Sequence, residues 1–207
     1  MVADIGLINQ YLRRISEGDL TADIDEAIVD RPDEIGEIGI YASKMRSDLQ
    51  KLVEMDPLTA LYNRRSCNNK LSNLVNNNIL FTVVMCDIDW IKKNNAQYGH
   101  DAGDYVLVKI SEMIRENVEN CGFASRWGGE EFLLVYTLDF EQAMQKVEEL
   151  QQRVRTFDFL YEAKVIKVTM TFGVKEWEAD VAYEQLIKKA DYKLYTGKRN
   201  GRNQIVS

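Results

Sequence analysis

Residues Ile79 to Cys86 form an apolar run broken only by Thr82, and the run stops on Asp87-Ile88-Asp89. An apolar stretch of this length predicts a central strand buried on both faces. Strand alternation puts Asp87 and Asp89 on one face. Two carboxylates at the end of a buried strand are costly unless something neutralises them, and a hard divalent cation is the common solution. The competing reading is that one of them caps the following turn. Lys92 and Lys93 follow at once, a mixture of charge that suits a metal–phosphate site better than a lone cap.

A second acidic feature lies in Arg126-Trp127-Gly128-Gly129-Glu130-Glu131-Phe132. Phe123 to Arg126 is short and partly apolar, and Phe132 to Tyr136 reads as a buried strand. Two glycines between strand-like runs predict a hairpin, since glycine supplies the positive φ of tight turns. Adjacent glutamates repel and have poor strand propensity. Taken alone, Glu130 and Glu131 read as a solvated hairpin tip before they read as a site.

The remaining elements follow from periodicity. Ile5, Ile8, Leu12 and Ile15 step 3-4-3, and a polar stretch containing Pro32 follows. Ile35, Ile38, Ala42, Met45, Leu49 and Leu52 step 3-4-3-4-3, an a/d seam that implies packing on a partner helix. Asp56-Pro57 ends the seam, because proline disfavours helical geometry in the residue before it. Residues 1–55 therefore form a helical dimerisation segment and 56–207 a globular domain. Within the latter, a helix runs to about Asn76. The stretch from Asn95 to Asp104 contains the chain's one histidine, His100, and a helix carrying Leu107, Ile110, Ile114 and Val118 follows. Asp139 is the N-cap of a helix through Val154. Val165 to Val174 alternates as one half-buried strand. A short helix carries Leu186 and Leu194. The basic, glycine-bearing stretch from Thr196 to Asn203 is a phosphate contact or a surface turn.

From Asp56 onward the order is α-β-α-β-β-α-β-α-β. This contains a βαββαβ core, which predicts an α+β, ferredoxin-like antiparallel sheet with helices on one face. The first strand and the hairpin are then central neighbours, and Asp87 with Glu130 or Glu131 can converge on one cation.

The formal net charge of −7 argues against binding a nucleic acid polymer. Cys67, Cys86 and Cys121 lack metal-ligand spacing and fit reduced thiols. No apolar run reaches the length of a membrane span, so the chain as given reads as soluble and cytoplasmic.

In residues 1–55, Glu17-Gly18-Asp19-Leu20 and Asp33-Glu34-Ile35-Gly36-Glu37-Ile38 resemble the helix junctions of a HAMP domain, the dimeric relay of bacterial transmembrane receptors. The usual proline near the start of its first helix is missing. The resemblance implies a homodimer through these helices and an upstream sensory, membrane-anchored region.

The remainder resembles the GGDEF diguanylate cyclase family. The resemblance rests on Asp56 to Arg65, Asp87-Ile88-Asp89, Asn95, Gly99 to Asp104, Gly128-Gly129-Glu130-Glu131-Phe132, and Ala190-Asp191 through Gly201-Arg202-Asn203. It implies a fold like the palm of nucleotidyl cyclases and polymerases. It also implies condensation of two GTP molecules into cyclic di-GMP, with release of pyrophosphate, between two facing domains. By this resemblance, Asp87, the carbonyl of Ile88 and Glu130 or Glu131 hold Mg²⁺ or Mn²⁺, and one of the two glutamates is the base. Gly128 and Gly129 leave room for the nucleotide. Asn95 and Asp104 contact guanine, and His100 is a further substrate contact. Lys92, Lys198 and Arg202 bind the β/γ phosphates. A carboxylate accepts from guanine N1–H and N2–H₂, donors that adenine does not present, so GTP is preferred over ATP.

Three departures stand out. Trp90-Ile91-Lys92 replaces the common Phe-Lys after the acidic strand. Ala96 replaces a common Asp. Glu119 and Gly122 occupy the Arg and Asp positions of the family's product-inhibition motif, so weak product inhibition is expected there. Two other readings compete with the cyclase: a catalytically inactive relay that binds GTP or a cyclic dinucleotide, and a structural dimerisation cassette.

Overall fold

The computed structural model describes residues 2–179 and 181–207. The chain divides into two compact units, one ending at Glu54 and the other spanning Met55–Ser207. Among the described residues, no helix is long and apolar enough to cross a membrane.

The first unit holds helices α1 (Val2–Ser16), α2 (Glu26–Val29) and α3 (Glu34–Glu54). Gly18, at φ 91°, turns the chain out of α1, and Asp19 fixes the turn by accepting from Thr21 N and Oγ1 at 3.1 and 2.7 Å. Asp25 caps α2 by accepting from Ala27 N at 2.9 Å. Helix α3 meets α2 through small residues. A Cβ on Gly36 would lie 2.1 Å from the Arg31 carbonyl oxygen, and one on Gly39 would lie 3.0 Å from Ile28 Cγ2. This close face, with Ala42, covers a core of Ile8, Tyr11, Ile15, Ala22 and Ile28. The α3 seam expected from sequence is thus only partly used inside the unit. Ala42 is buried, but Ile38, Met45, Leu49 and Leu52 are 47, 47, 37 and 76 % exposed.

The second unit is built on a six-stranded sheet. Its elements are β1 (Tyr62–Asn63), α4 (Arg64–Asn76), β2 (Thr82–Ile88), α5 (Ile91–Tyr98), α6 (His100–Val118), β3 (Gly122–Arg126) and β4 (Glu131–Tyr136). They continue as α7 (Phe140–Thr156), β5 (Phe159–Tyr161), β6 (Lys164–Ile166), β7 (Met170–Glu176), α8 (Tyr183–Arg199) and β8 (Ile205–Val206). The strand order is β1-β3-β4-β2-β7-β8. Its middle four strands are antiparallel, as the βαββαβ reading requires, while β1 and β8 add parallel edges.

Both faces of the sheet are covered, where one was expected. Val84, Cys86 and Ile88 pack with Val106, Ile110 and Val147 of α6 and α7. Val83 and Met85 pack with Cys67 and Leu71 of α4 and with Leu186 and Leu194 of α8. Double coverage explains why β2 is apolar at consecutive positions.

Several boundaries differ from the sequence reading. Strand β2 begins at Thr82, not Ile79, because Asn78 (φ 52°) and Ile79 bond back to Val75 and Leu74 and close α4. The stretch Asn95–Asp104 is helical apart from Gly99, whose φ of 92° separates α5 from α6. The single strand expected over 165–174 is interrupted. Ile166, Val168, Met170, Phe172 and Val174 are all buried as their alternation demands, yet 167–169 leave the ladder between β6 and β7. The break falls where the chain passes from the β5–β6 hairpin to the main sheet, and Asp89 prolongs the β2–β7 register beyond Ile88–Met170: its N–H donates to the Thr169 carbonyl at 2.8 Å, and its carboxylate accepts from Thr169 Oγ1 at 2.7 Å.

Candidate active site

The acidic strand end and the acidic hairpin meet. In the β2–β4 ladder Asp87 stands directly opposite Glu131, and Ile88 N–H donates to the Glu130 carbonyl at 3.3 Å. Asp87 is 4 % exposed. Its Oδ2 lies 2.7 Å from Lys198 Nζ near the end of α8. Burial pushes the Asp87 carboxyl up to about 6; the Lys198 hydrogen bond and charge oppose that rise, and the charges of Glu130 and Glu131 add to it. Three acidic side chains therefore influence one another at the end of two central strands.

The hairpin turn is built differently from the expectation. Neither Gly128 nor Gly129 adopts a positive φ. The turn is closed by Trp127 N–H and Gly128 N–H donating to the Glu131 carbonyl at 2.8 and 3.2 Å. A Cβ on Gly128 would lie 2.8 Å from Glu131 Oε2, the movable end of that side chain. Gly129 faces open space. Arg126, which the sequence reading passed over, clamps the turn by donating from Nη2 to the Gly129 carbonyl at 2.9 Å and pairing with Asp56 at 3.2 Å.

Asp89 is engaged by donors of the protein itself. Its carboxylate accepts from Thr169 Oγ1 and Thr171 Oγ1, each at 2.7 Å, and from Asn203 N–H at 3.0 Å. These bonds already compensate its charge, and they tie the end of β2 to β7 and to the basic tail. The signal was present in sequence as Thr169 and Thr171, the polar positions of an otherwise apolar alternation.

On the α5–α6 side, Asn95 Oδ1 is buried with no hydrogen-bond partner among the described residues. It rests on Gly103, where a Cβ would come within 2.0 Å of it. Asp104 is the next residue, and both it and His100 are exposed in the first turns of α6. Lys92 is exposed near the start of α5. Its neighbour Lys93 lines a cavity of about 500 Å³ with Asp89, Trp90, Arg155 and Lys167. Arg202 adopts φ 63° and lies with its guanidinium 3.9 Å from the centre of the Trp90 ring.

The positions Glu119 and Gly122 line a separate cavity of about 470 Å³ with Tyr62, Lys70, Arg115 and Phe123. Gly122 starts β3, where a Cβ would lie 1.9 Å from the Val135 carbonyl oxygen. That backbone position has no room for a side chain.

The donor set fits a hard cation in kind, since Asp87, Glu130, Glu131 and the Ile88 carbonyl all offer oxygen. Among the described residues, no three His, Cys, Asp or Glu side chains are already grouped in a ligating arrangement. Asp87 is paired with Lys198 instead.

The sheet order and the facing acidic elements make the second unit a palm-type α+β domain. Residues 53–204 match the family model described as the GGDEF domain of diguanylate cyclases. The chain belongs to the GGDEF family. It is 35 % identical over 127 residues to diguanylate cyclase A of Treponema denticola, covering 60 % of this chain and 34 % of that protein. It is 31 % identical over 172 residues to diguanylate cyclase DgcP of Pseudomonas aeruginosa, covering 80 % of this chain and 25 % of that one. The chain thus spans about a third or less of the length of these curated relatives. Among solved structures, diguanylate cyclase SiaD of Pseudomonas aeruginosa, in complex with its activator SiaC, aligns with a TM-score of 0.72 at 30 % identity, over 99 % of this chain and 82 % of that one. The active GGEEF domain of a Vibrio cholerae diguanylate cyclase aligns with a TM-score of 0.64 at 28 % identity, over 70 % of this chain and 96 % of that one.

Proposed function

We propose that the chain is a diguanylate cyclase, condensing two GTP molecules into cyclic di-GMP and two pyrophosphates between two facing catalytic units. The observation that carries this reading is the register pair Asp87–Glu131, with Glu130 beside it. In this reading Asp87, the Ile88 carbonyl and Glu131 or Glu130 hold Mg²⁺ or Mn²⁺. The ion, when bound, neutralises phosphate charge and lowers the pKa of the attacking hydroxyl. With the ion bound, Lys198, which lies 2.7 Å from Asp87, would be free to meet phosphate.

The residues of the chain do the remainder. Asn95 and Asp104 hold guanine by its Watson–Crick edge, and His100 adds a contact. Gly128 keeps the backbone bare where the nucleotide lies. Glu130 or Glu131 takes the proton from the 3′-hydroxyl, whose oxygen bonds to the α-phosphorus of the other GTP as the bond to the leaving pyrophosphate breaks. Lys92, Lys198 and Arg202 bind the β/γ phosphates, with Arg202 holding them equally in the bound substrate and in the transition state.

The homodimer would form through residues 1–55, a HAMP-like relay that biases how the catalytic units pair. The exposed stripe Ile38, Met45, Leu49 and Leu52 supports this, because an a/d seam needs a partner helix. In the longer protein an upstream, membrane-anchored sensory region would drive the relay, with this part in the cytoplasm. The alternative, an inactive relay that binds GTP or a cyclic dinucleotide, draws on the Lys198–Asp87 pair, which already neutralises the metal carboxylate.

Incubation with GTP and Mg²⁺ followed by mass analysis for cyclic di-GMP decides between the two. Product that disappears in Glu130→Gln or Glu131→Gln supports the cyclase. Tight GTP binding without product supports the relay.

A further inference from the structure

Trp90 is an unusual residue for its position. It precedes α5 in a left-handed conformation, φ 63° and ψ 22°, with no side-chain cap bond. Bulky side chains rarely adopt that region. Burial does not explain it either, since the residue is 59 % exposed. Across from it the tail passes through Gly201, Arg202 and Asn203 with φ of 109, 63 and 46°, so two further non-glycine residues are left-handed. The two strained segments are fastened together. Asp89 accepts from Asn203 N–H at 3.0 Å, and the Arg202 guanidinium lies 3.9 Å from the centre of the Trp90 ring.

The mode of contact matters. A guanidinium carries its five N–H donors in its own plane, so a partner on its face leaves the donors free, whereas a carboxylate would occupy them. Among the described residues, no carboxylate lies within salt-bridge distance of Arg202. Lys198, four residues earlier, is by contrast held by Asp87 at 2.7 Å. The two basic groups of the tail are therefore stored in different ways, Lys198 on a competing anion and Arg202 on an aromatic face.

We propose that Trp90 is a positioning residue that fixes the plane of the Arg202 guanidinium before substrate arrives, leaving its N–H edge open to the terminal phosphates. This rests on the reading of Arg202 as a phosphate contact. The left-handed backbone at positions 90 and 202 accompanies this contact of guanidinium and ring. The indole at this position also gives a role to a residue that the family resemblance left unassigned.

The test is steady-state turnover of GTP by the whole chain carrying Trp90→Ala, Trp90→Phe, Trp90→Gly, Arg202→Ala or Trp90→Ala with Arg202→Ala. Loss of the aromatic face should raise KM for GTP about tenfold with little change in kcat, the size expected of a cation–π contact. Trp90→Phe should recover most of the loss. Trp90→Gly, which suits a left-handed backbone, should keep or raise the thermal midpoint while still raising KM, an outcome that a purely structural role would not give. The double variant should be no worse than Arg202→Ala alone, since the ring acts through the guanidinium. Multiplicative losses, or unchanged KM in Trp90→Ala while Arg202→Ala raises it, would overturn the proposal and leave the phosphate reading standing. An unchanged KM in Arg202→Ala would remove the phosphate reading and the proposal with it.

Discussion

Arg126 and Asp56 lie seventy residues apart in sequence and 3.2 Å apart in space, each about 19 % exposed at its side chain. The same guanidinium donates to the Gly129 carbonyl. The segment that enters the second unit is thus bonded to the turn that carries Glu130 and Glu131. Asp56 also accepts from Thr59 N–H and Oγ1 at 2.9 and 2.8 Å. Burial pushes its carboxyl up, but the Thr59 hydrogen bonds and the Arg126 charge outweigh that and hold its pKa below the usual value.

Asp56→Ala should therefore cost stability as well as turnover. Leaving Arg126 without its partner should lower the unfolding free energy by about 1–2 kcal/mol at neutral pH, less than a fully buried pair would lose. A depressed folded pKa gives stability that is present above the ordinary carboxylate range and fades as pH falls through the folded value. The wild type and variant should therefore converge in acid. Urea unfolding at about pH 7 and pH 3 measures both, and an equal deficit at the two would contradict the assignment.

Asp87 gives the opposite sign. Its folded pKa, about 6, lies above the ordinary 3.8, so the native state keeps the proton longer and stability falls as pH rises from the lower value through the upper. Asp87→Asn should abolish turnover yet stabilise the metal-free protein at neutral pH by about 3 kcal/mol, with no difference below about pH 4. Unfolding in a chelating buffer reads this directly. A variant less stable than wild type at neutral pH would mean that Lys198 gains more from the charge than burial loses.

Gly103 separates fold from function. Alanine in the second turn of α6 raises helix propensity by up to about 1 kcal/mol. Its Cβ would nevertheless fall 2.0 Å from Asn95 Oδ1 and drive that side chain away. Gly103→Ala is expected to leave the thermal midpoint near that of wild type and to raise KM for GTP by about tenfold or more, the worth of a displaced polar contact. Unchanged kinetics would remove Asn95 from the guanine site.

At the cavity beside Glu119, cyclic di-GMP is expected to inhibit only weakly, as product titration in the turnover assay would reveal. Installing the family motif with Glu119→Arg and Gly122→Asp should not restore tight inhibition. The new Cβ would meet the Val135 carbonyl oxygen at 1.9 Å, and opening β3 to admit it should cost about 1–3 kcal/mol. Potent inhibition by the double variant at wild-type stability would show that the strand yields more easily than its geometry implies.

What could be read from sequence was whatever is periodic or chemically exceptional. The apolar run before Asp87 and the hairpin beside Glu131 predicted the β2–β4 pairing, and the Asp139 N-cap is found accepting from Gln142 N–H at 2.8 Å. Contacts made by backbone or by ordinary residues were not legible. Gly128 was read as a source of positive φ, and its φ is not positive. Asp89 looked like half of a cation site because alternation says which face a residue takes but not which hydroxyls wait there. The Arg126–Asp56 pair and the Trp90–Arg202 stack join segments too distant in sequence for any local pattern to report.

The close glycine face of α3 leaves the helix's larger apolar residues outside its own core. A single copy can therefore be fully folded while its seam is still unsatisfied. If that seam is what joins two copies, the output of the paired enzyme at low abundance rises with the square of the number of molecules. Doubling expression would then quadruple the signal, a steep response obtained without any change at the catalytic residues.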